Sequence, residues 1–276
     1  MDAITHCKIH PAVGIARVGN SPDEFFIGPE LPYPTPAPAG GYKDGAGRLK
    51  RQAARFRLFG YNAAGDVVQE LTADDAQITW TAHLANRKAA WYNFELAMDI
   101  PEAKPCARRN ARVSGPDRAR LVIDPGSRSI AGKGQSGPAF QFDTGQFFGK
   151  PIYLGELRTD EAGHLLVLGG RGASAPAEPG HTAYTFANND GWHDDVADGP
   201  VSAQVTIGGQ DVPVEPAWVV TAPPNYAPDI VTFQTMYDLI VDSFQNSWLP
   251  PVPMPSFTDH VLPILQQLSD AQWVNF

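Results

Sequence analysis

From His10 to Pro22 the chain reads His-Pro-Ala-Val-Gly-Ile-Ala-Arg-Val-Gly-Asn-Ser-Pro. Its apolar residues are spaced as in a buried strand, yet Pro11 and Pro22 bracket it and Gly14 and Gly19 interrupt it. Proline fixes φ near one value and glycine admits positive φ, so the run encodes tight, extended backbone rather than helix. The same punctuation recurs throughout. Gly and Pro number 26 each among 276 residues, nearly one position in five. No repeat period accompanies them, which predicts many short strands joined by long ordered loops. Six Trp and fourteen Phe oppose disorder, since disordered chains are poor in large apolar residues.

The formal net charge is −9. An acidic surface repels phosphate backbones, so nucleic acid is not an expected partner. The basic cluster Arg48, Lys50, Arg51, Arg55 and Arg57 reads as a solvated strand edge. Two cysteines, Cys7 and Cys106, are too few for a disulfide framework and fit a reducing compartment or one isolated bridge. The N-terminus lacks a basic region followed by an apolar one, so no classical signal peptide is expected. No stretch approaches the ~18–20 apolar residues of a membrane span. The expectation is a soluble protein without a membrane partner, cytoplasmic or exported by a non-classical route.

Residues 28–42 are crowded with proline and read as a polyproline-like connector. Phe56 and Leu58 alternate with charged residues, and turn chemistry at 62–66 leads into Val67–Leu71, so 55–72 is a predicted hairpin. Strands are expected at 78–84, 120–124, 201–207, 212–214 and 218–221, with a second hairpin over 151–170. Residues 89–98 are ambiguous between strand and short helix. Up to residue 222 the pattern is mainly β: a sandwich or complex barrel of short antiparallel strands. The period then changes. Ile230, Phe233, Tyr237, Ile240, Val241 and Phe244 sit at helical spacing, predicting a helix over 229–245. A second is expected over 259–273, with Ser256 and Asp259 at capping-box spacing and Pro263 tolerable only in the first turn. The expected domains are therefore 1–222, β-rich, and 223–276, helical.

Few residues combine into recognisable chemistry. The seven histidines show no metal spacing, no Gly-x-Ser-x-Gly elbow is present, and the Gly-rich stretch 126–137 lacks a P-loop ending. Residues 188–199 hold Asn188, Asn189, Asp190, His193, Asp194, Asp195 and Asp198. That density of oxygen suits Ca²⁺, but it fits no EF-hand loop, and a polar turn whose side chains bond their own backbone is the preferred reading. No metal site is expected.

Several blocks carry a family resemblance. They are the opening run continued by Asp23-Glu24-Phe25-Phe26-Ile27-Gly28-Pro29-Glu30, Gly47–Arg57, His83–Tyr92, Leu154–Asp160, Asn188–Asp195 and Ala217–Pro228. Together, in this order, they resemble the N-terminal part of the lysine 6-oxidase family, amino-acid oxidases that carry a cysteine tryptophylquinone made from their own Cys and Trp. The resemblance implies that a substrate primary amine condenses with a quinone carbonyl and that a carboxylate removes the proton from the amine-bearing carbon. Hydrolysis and reoxidation by dioxygen then give ammonia and hydrogen peroxide.

In the family the quinone residues lie in the C-terminal half of a much longer polypeptide. No catalytic residue can therefore be carried onto this chain, and the cofactor is expected in a C-terminal part or a complementary chain. Cys106 follows Trp91 by fifteen residues, yet an ordinary loop cysteine is the preferred reading. The family places an aromatic substrate-gating residue in its N-terminal half. Tyr226 is the best match and Tyr237 the second. The resemblance also implies a flavoprotein maturation partner and a homo-oligomer. This chain alone is expected to give no peroxide. The alternative is a non-enzymatic β-sandwich module that binds carbohydrate or protein.

Overall fold

The computed structural model describes residues 3–30, 37–94, 107–226, 228, 236–244 and 254–270. The N-terminal run forms two short strands on either side of Pro11, β1 (His6–His10) and β2 (Val13–Arg17), followed by β3 (Phe25–Ile27). All three pair with β4 (Arg51–Tyr61), the strand that organises the sheet. Along β4, Phe56 and Leu58 are fully buried while Arg55 and Arg57 are half-buried, the two-residue period of a strand with one face on the core. The expected hairpin forms. β4 returns as β5 (Val67–Leu71), and the Asn62 side chain accepts from the N–H groups of Ala64 and Asp66 at 3.0 and 2.9 Å.

The glycines of the opening run now have a reason. A Cβ on Gly14 would stand 2.4 Å from Cζ of Phe56, and one on Gly19 would stand 2.6 Å from the Lys50 carbonyl oxygen. Only a residue without a side chain lets the N-terminal run lie this close to β4 and the segment before it.

The remaining strands extend the sheet. β6 (Gln77–His83) pairs with β7 (Ser127–Ala131), and the small pair β8 (Gln146–Phe147) and β9 (Lys150–Pro151) stands apart. β10 (Gly155–Thr159) and β11 (Leu165–Gly169) form the second hairpin, shorter than expected at its start. β12 (Ser174–Pro176) pairs only with β13 (Trp192–Asp194). β14 (Ala197–Ile207), β15 (Gln210–Val212), β16 (Val214–Glu215) and β17 (Ala217–Ala222) complete the set. The main sheet runs β10-β11-β4-β2-β17-β14-β6-β7, with β1, β3, β5, β15 and β16 attached beside it.

The fold is mainly β, as expected, but the sheet is mixed. β1 runs parallel to β16, β2 to β17 and β3 to β4. Side-chain period reports which face a residue takes and not the direction of its neighbour, so parallel partners distant in sequence leave no local trace. The strand expected over 120–124 is a correction. Residues Gly115–Leu121 form a 3₁₀-helix started by Pro116, and Ile123 makes a single bridge to Asn86. Leu121 and Ile123 are buried all the same, and a short apolar run does not reveal which backbone carries it. Of the ambiguous stretch 89–98, Lys88–Ala90 is one 3₁₀ turn, and residues 95–98 lie outside the described residues.

The core of the sheet is dense. Trp80, Phe56, Phe142, Phe147 and Leu84 are all but inaccessible, and the Trp80 indole donates to the Gly163 carbonyl at 2.9 Å. Contacts divide the chain into two units. One is Met1–Gly28 with Pro38–Pro224; the other is Pro29–Ala37 with Asn225–Phe276.

In the second unit, α1 (Met236–Phe244) occupies part of the helix expected over 229–245, of which 229–235 and 245 lie outside the described residues. A π-helical turn over Phe257–Val261 leads into α2 (Leu262–Asp270). Ser256 caps it by accepting from the Asp259 N–H at 3.2 Å, and Pro263 falls in the first turn of α2, as its spacing required. Residues 271–273 of the expected second helix lie outside the described residues.

Candidate functional site

In the sheet unit, β13, the 3₁₀ turn at Lys88–Ala90, residues Arg109, Leu121 and Ile123, and the 183–189 loop line a cavity of about 290 Å³. Its walls are irregular backbone held by side chains. Asn86 exchanges backbone hydrogen bonds with Ile123, each 2.9 Å, and its Nδ2 donates to the Asp194 carbonyl and carboxylate at 3.0 and 2.9 Å. Lys88 Nζ pairs with the same carboxylate. Asn110 takes positive φ (53°), which Asn tolerates better than most residues. Its Nδ2 donates to the Ala89 carbonyl at 2.8 Å, and its Oδ1 accepts from the Gly191 N–H at 2.6 Å. Arg118 donates to the carbonyls of Ala90, Arg109, Asn110 and Val113 between 2.8 and 3.2 Å. Asn189 Oδ1 accepts from the N–H groups of Tyr184 and Thr185, both at 3.0 Å. Such bonds do here what a strand ladder does elsewhere.

Several of the residues that line this space bury polar groups. Arg109 is only 8 % exposed. Its Nη2 donates to the Asn189 carbonyl at 3.0 Å, while its Nε is buried without a partner. Trp192 Nε1 and His193 Nδ1 are likewise buried and unpartnered. Burial pushes the Arg109 guanidinium below its usual range, opposed by the charges of Asp194 and Asp190. Burial also lowers the His193 imidazole, which favours its neutral form. Ser174 Oγ donates to the His193 carbonyl at 2.9 Å, so the hydroxyl is not aligned on the His193 ring as a nucleophile would be. Ala89, Leu121 and Ile123 supply an apolar wall.

A second polar cluster corrects the reading of the basic residues as a solvated edge. Arg51 is fully buried, and its Nη2 pairs with Glu156 at 3.1 Å. Arg158 joins the same carboxylate at 2.6 Å, and Arg51 Nη1 donates to Tyr153 Oη at 3.1 Å. Burial raises the Glu156 carboxyl, but Arg51 and Arg158 outweigh it and hold the group below its ordinary value. Tyr153 is pushed up to about 12, chiefly by burial. The arginines read as one charged strand, and the alternation of β4 does put Arg51 on the face of Arg55 and Arg57; it is buried where they are only half-buried because Glu156 and Tyr153 close over that end.

The Asn- and Asp-rich stretch is polar, but as a correction its side chains largely bond backbone from elsewhere in the chain rather than their own. Asn188 Oδ1 accepts from the Phe94 N–H at 2.7 Å, Asp190 Oδ1 from the Asn110 N–H at 2.6 Å and Asp195 Oδ2 from the Ala173 N–H at 2.9 Å. Among the described residues no group of three His, Cys, Asp or Glu side chains is placed to hold a metal ion.

Cys7 does not suit a redox crosslink. It is buried in β1 between β4 and β16, and burial raises its thiol to about 11, which keeps it protonated and unreactive. Cys106 lies outside the described residues. Tyr226 belongs to the second unit and is 81 % exposed. Tyr237 falls in α1, its side chain outside the described residues. Arg109, by contrast, has no local signal in the sequence, and Trp192 stands there only inside the block Asn188–Asp195. Arg109 lies in a stretch with four other arginines between 108 and 120, and nothing local marks it as the one that lines the cavity.

Residues 10–221 match the family model of the L-lysine epsilon oxidase N-terminal domain, and the chain belongs to that family. It is 33% identical to L-lysine 6-oxidase of Marinomonas mediterranea, over 97% of this chain and 43% of that protein. The solved structure of the epsilon-lysine oxidase from the same organism superposes with a TM-score of 0.74 at 30% identity, over 96% of this chain and 45% of that one. The structure of its Schiff base intermediate with L-Lys gives 0.73 at 29% identity, over 97% and 45%. The chain thus spans less than half the length of the relatives it matches. The alternative of a carbohydrate- or protein-binding module finds no support in these likenesses.

Proposed function

We propose that this chain is the N-terminal scaffold of a quinoprotein amino-acid oxidase. The whole protein would deaminate lysine or another amino acid with dioxygen, releasing ammonia and hydrogen peroxide. The observation that carries the reading is the likeness to L-lysine 6-oxidase over 97% of the chain. The cofactor would be a cysteine tryptophylquinone supplied by a C-terminal half or a complementary chain, since the buried, protonated Cys7 thiol does not fit the role. Such a quinone supplies an electron sink for the amine. This chain's part is to form the β body that supports it, with Tyr226 or Tyr237 facing the substrate channel. A flavoprotein that helps build the cofactor and assembly into a homo-oligomer complete the proposal.

The test is oxygen consumption by the whole native protein containing this sequence, assayed with each common amino acid, alongside the purified 276-residue chain. Peroxide and quinone absorbance are expected from the first and neither from the second. A native protein without amino-acid-dependent peroxide, or a chain that produces it alone, would overturn the reading.

A further inference from the structure

We propose that the aromatic ledge formed by residues 91–94 and 184–186 is the face on which a second copy of this chain docks, related by a two-fold axis. This rests on the homo-oligomer proposed above and not on the oxidase chemistry. Phe186 is 88 % exposed, Tyr184 75 % and Trp91 64 %, and Phe94 and Tyr92 are exposed beside them. Single exposed rings are ordinary, but these are joined. Phe94 meets Phe186 edge to face, with ring centroids 5.8 Å apart, and Trp91 meets Tyr92 in the same way at 5.3 Å. Contiguous apolar surface of this kind marks an interaction site. The backbone beneath is fixed. Asn188 Oδ1 accepts from the Phe94 N–H and its Nδ2 donates to the Phe94 carbonyl at 2.9 Å, which ties the two ring-bearing segments together. The Asn93 N–H donates to the Ala107 carbonyl at 2.8 Å, and Asn189 Nδ2 donates to the Thr185 carbonyl at 2.7 Å. Backbone that is already ordered loses little entropy on association.

Area and charge select the occupant. An aromatic side chain brings ~150–250 Å² to a contact, so at these exposures the five rings offer about 600 Å². A stable interface buries about 800 Å² on each side, and the rings supply most of that. The stretches 84–94, 107–116 and 179–189 contain no Asp or Glu, in a chain that holds 30. Arg108 and Arg112 are exposed there, and the Arg108 guanidinium lies 5.4 Å from the Tyr92 ring centroid. Two copies of net charge −9 repel, and an acid-free face bearing arginine is where they approach at least cost. Aromatic rings have negative faces and positive edges, so a cluster of them is complementary to its own kind, and a two-fold axis brings the ledge onto itself. Arg108 adds a guanidinium for the rings of the other copy, the pairing of Arg with Tyr and Trp that interfaces favour.

The experiment is sedimentation equilibrium of the purified 276-residue chain, with hydroxyl-radical labelling of Trp91, Tyr184 and Phe186 at the same concentrations. The chain should dimerise, and labelling of the three rings should fall as the dimer forms. Phe94→Ser with Phe186→Ser should raise the dimer dissociation constant at least tenfold. Leu265→Ser with Leu268→Ser, on another exposed apolar face, should leave it within twofold. Should the ledge variant not fold, the labelling of the unaltered chain decides the matter, since protection must fall on the ledge. A chain that stays monomeric at every concentration, a dimer indifferent to Phe94→Ser with Phe186→Ser, or one lost in Leu265→Ser with Leu268→Ser would overturn the proposal. So would rings that label as fully in the dimer as in the monomer. Rings open in this chain at every concentration but protected in a longer native protein would assign the ledge to the rest of that polypeptide, and the second copy would fall. None of these readings uses peroxide production, so the oxidase reading stands or fails separately.

Discussion

In the sheet unit, Phe56, Trp80, Leu84 and Phe142 are almost closed to solvent, whereas in the helical unit Ile264, Leu265 and Leu268 stand 63%, 49% and 55% exposed. Each pattern has the spacing its element demands: two residues in a strand, as Phe56 and Leu58 show along β4, and three and four in the helix. The strand pattern found its complement within the same unit. The helical pattern produced a capped helix whose apolar residues face outward. An amphipathic period therefore specifies which residues share a face and says nothing of what covers that face.

The contrast can be broken by mutation, and the largest effect belongs to the core. Trp80→Ala removes a buried indole and its bond to Gly163, and should cost ~3–5 kcal/mol in denaturant unfolding of the sheet unit. A cost below about 1 kcal/mol would mean the sheet is no better packed than the helices.

Slightly less is expected at the buried ion pair. Glu156→Gln leaves Arg51 charged and unmatched, a change worth about 3 kcal/mol or more in such sites, while removing both charges together should restore most of the loss. The pH dependence has a definite sign. The Glu156 carboxyl is depressed in the folded chain, so its contribution is complete above its unfolded value of about 4.3 and is lost as pH falls through the folded value. Acid unfolding should shift in Glu156→Gln, and an unchanged acid limb would remove Glu156 from the account.

Gly14→Ala comes next. Its methyl would press on the Phe56 ring, and overpacking of this kind costs ~1–3 kcal/mol, readable as a lower Tm. In the helical unit, Ser256→Ala deletes a cap and should reduce the helical circular dichroism signal with a loss of ~1 kcal/mol. The smallest effect sharpens the contrast most. Leu265→Ser with Leu268→Ser should change the unfolding of the sheet unit by less than ~0.5 kcal/mol, because both side chains are already in water.

How much of this was legible depends on whether the relevant physics is local. The β4–β5 hairpin was legible because Asn62 and Gly65 supply turn chemistry between two alternating runs. The Ser256 cap was legible because its acceptor and donor lie three residues apart. The strand expected at 120–124 was not, since Leu121 and Ile123 are buried equally well from a 3₁₀ turn. The cavity was legible only in fragments. Asn188–Asp195 stood out as a polar turn, but its partners Asn86, Arg109 and Asn110 lie some eighty to one hundred residues away.

Local chemistry in the chain determined its class: frequent Gly and Pro, alternating strands, two late amphipathic helices, and blocks of residues shared with the lysine 6-oxidase family. Tertiary structure alone decided that Arg51 is buried against Glu156 and that Arg109 lines a cavity, that three strand pairings run parallel, and that Gly14 must carry no side chain. The reason is that backbone propensity acts between neighbours, whereas burial, charge pairing and steric clearance depend on residues that the chain brings together only after it has folded.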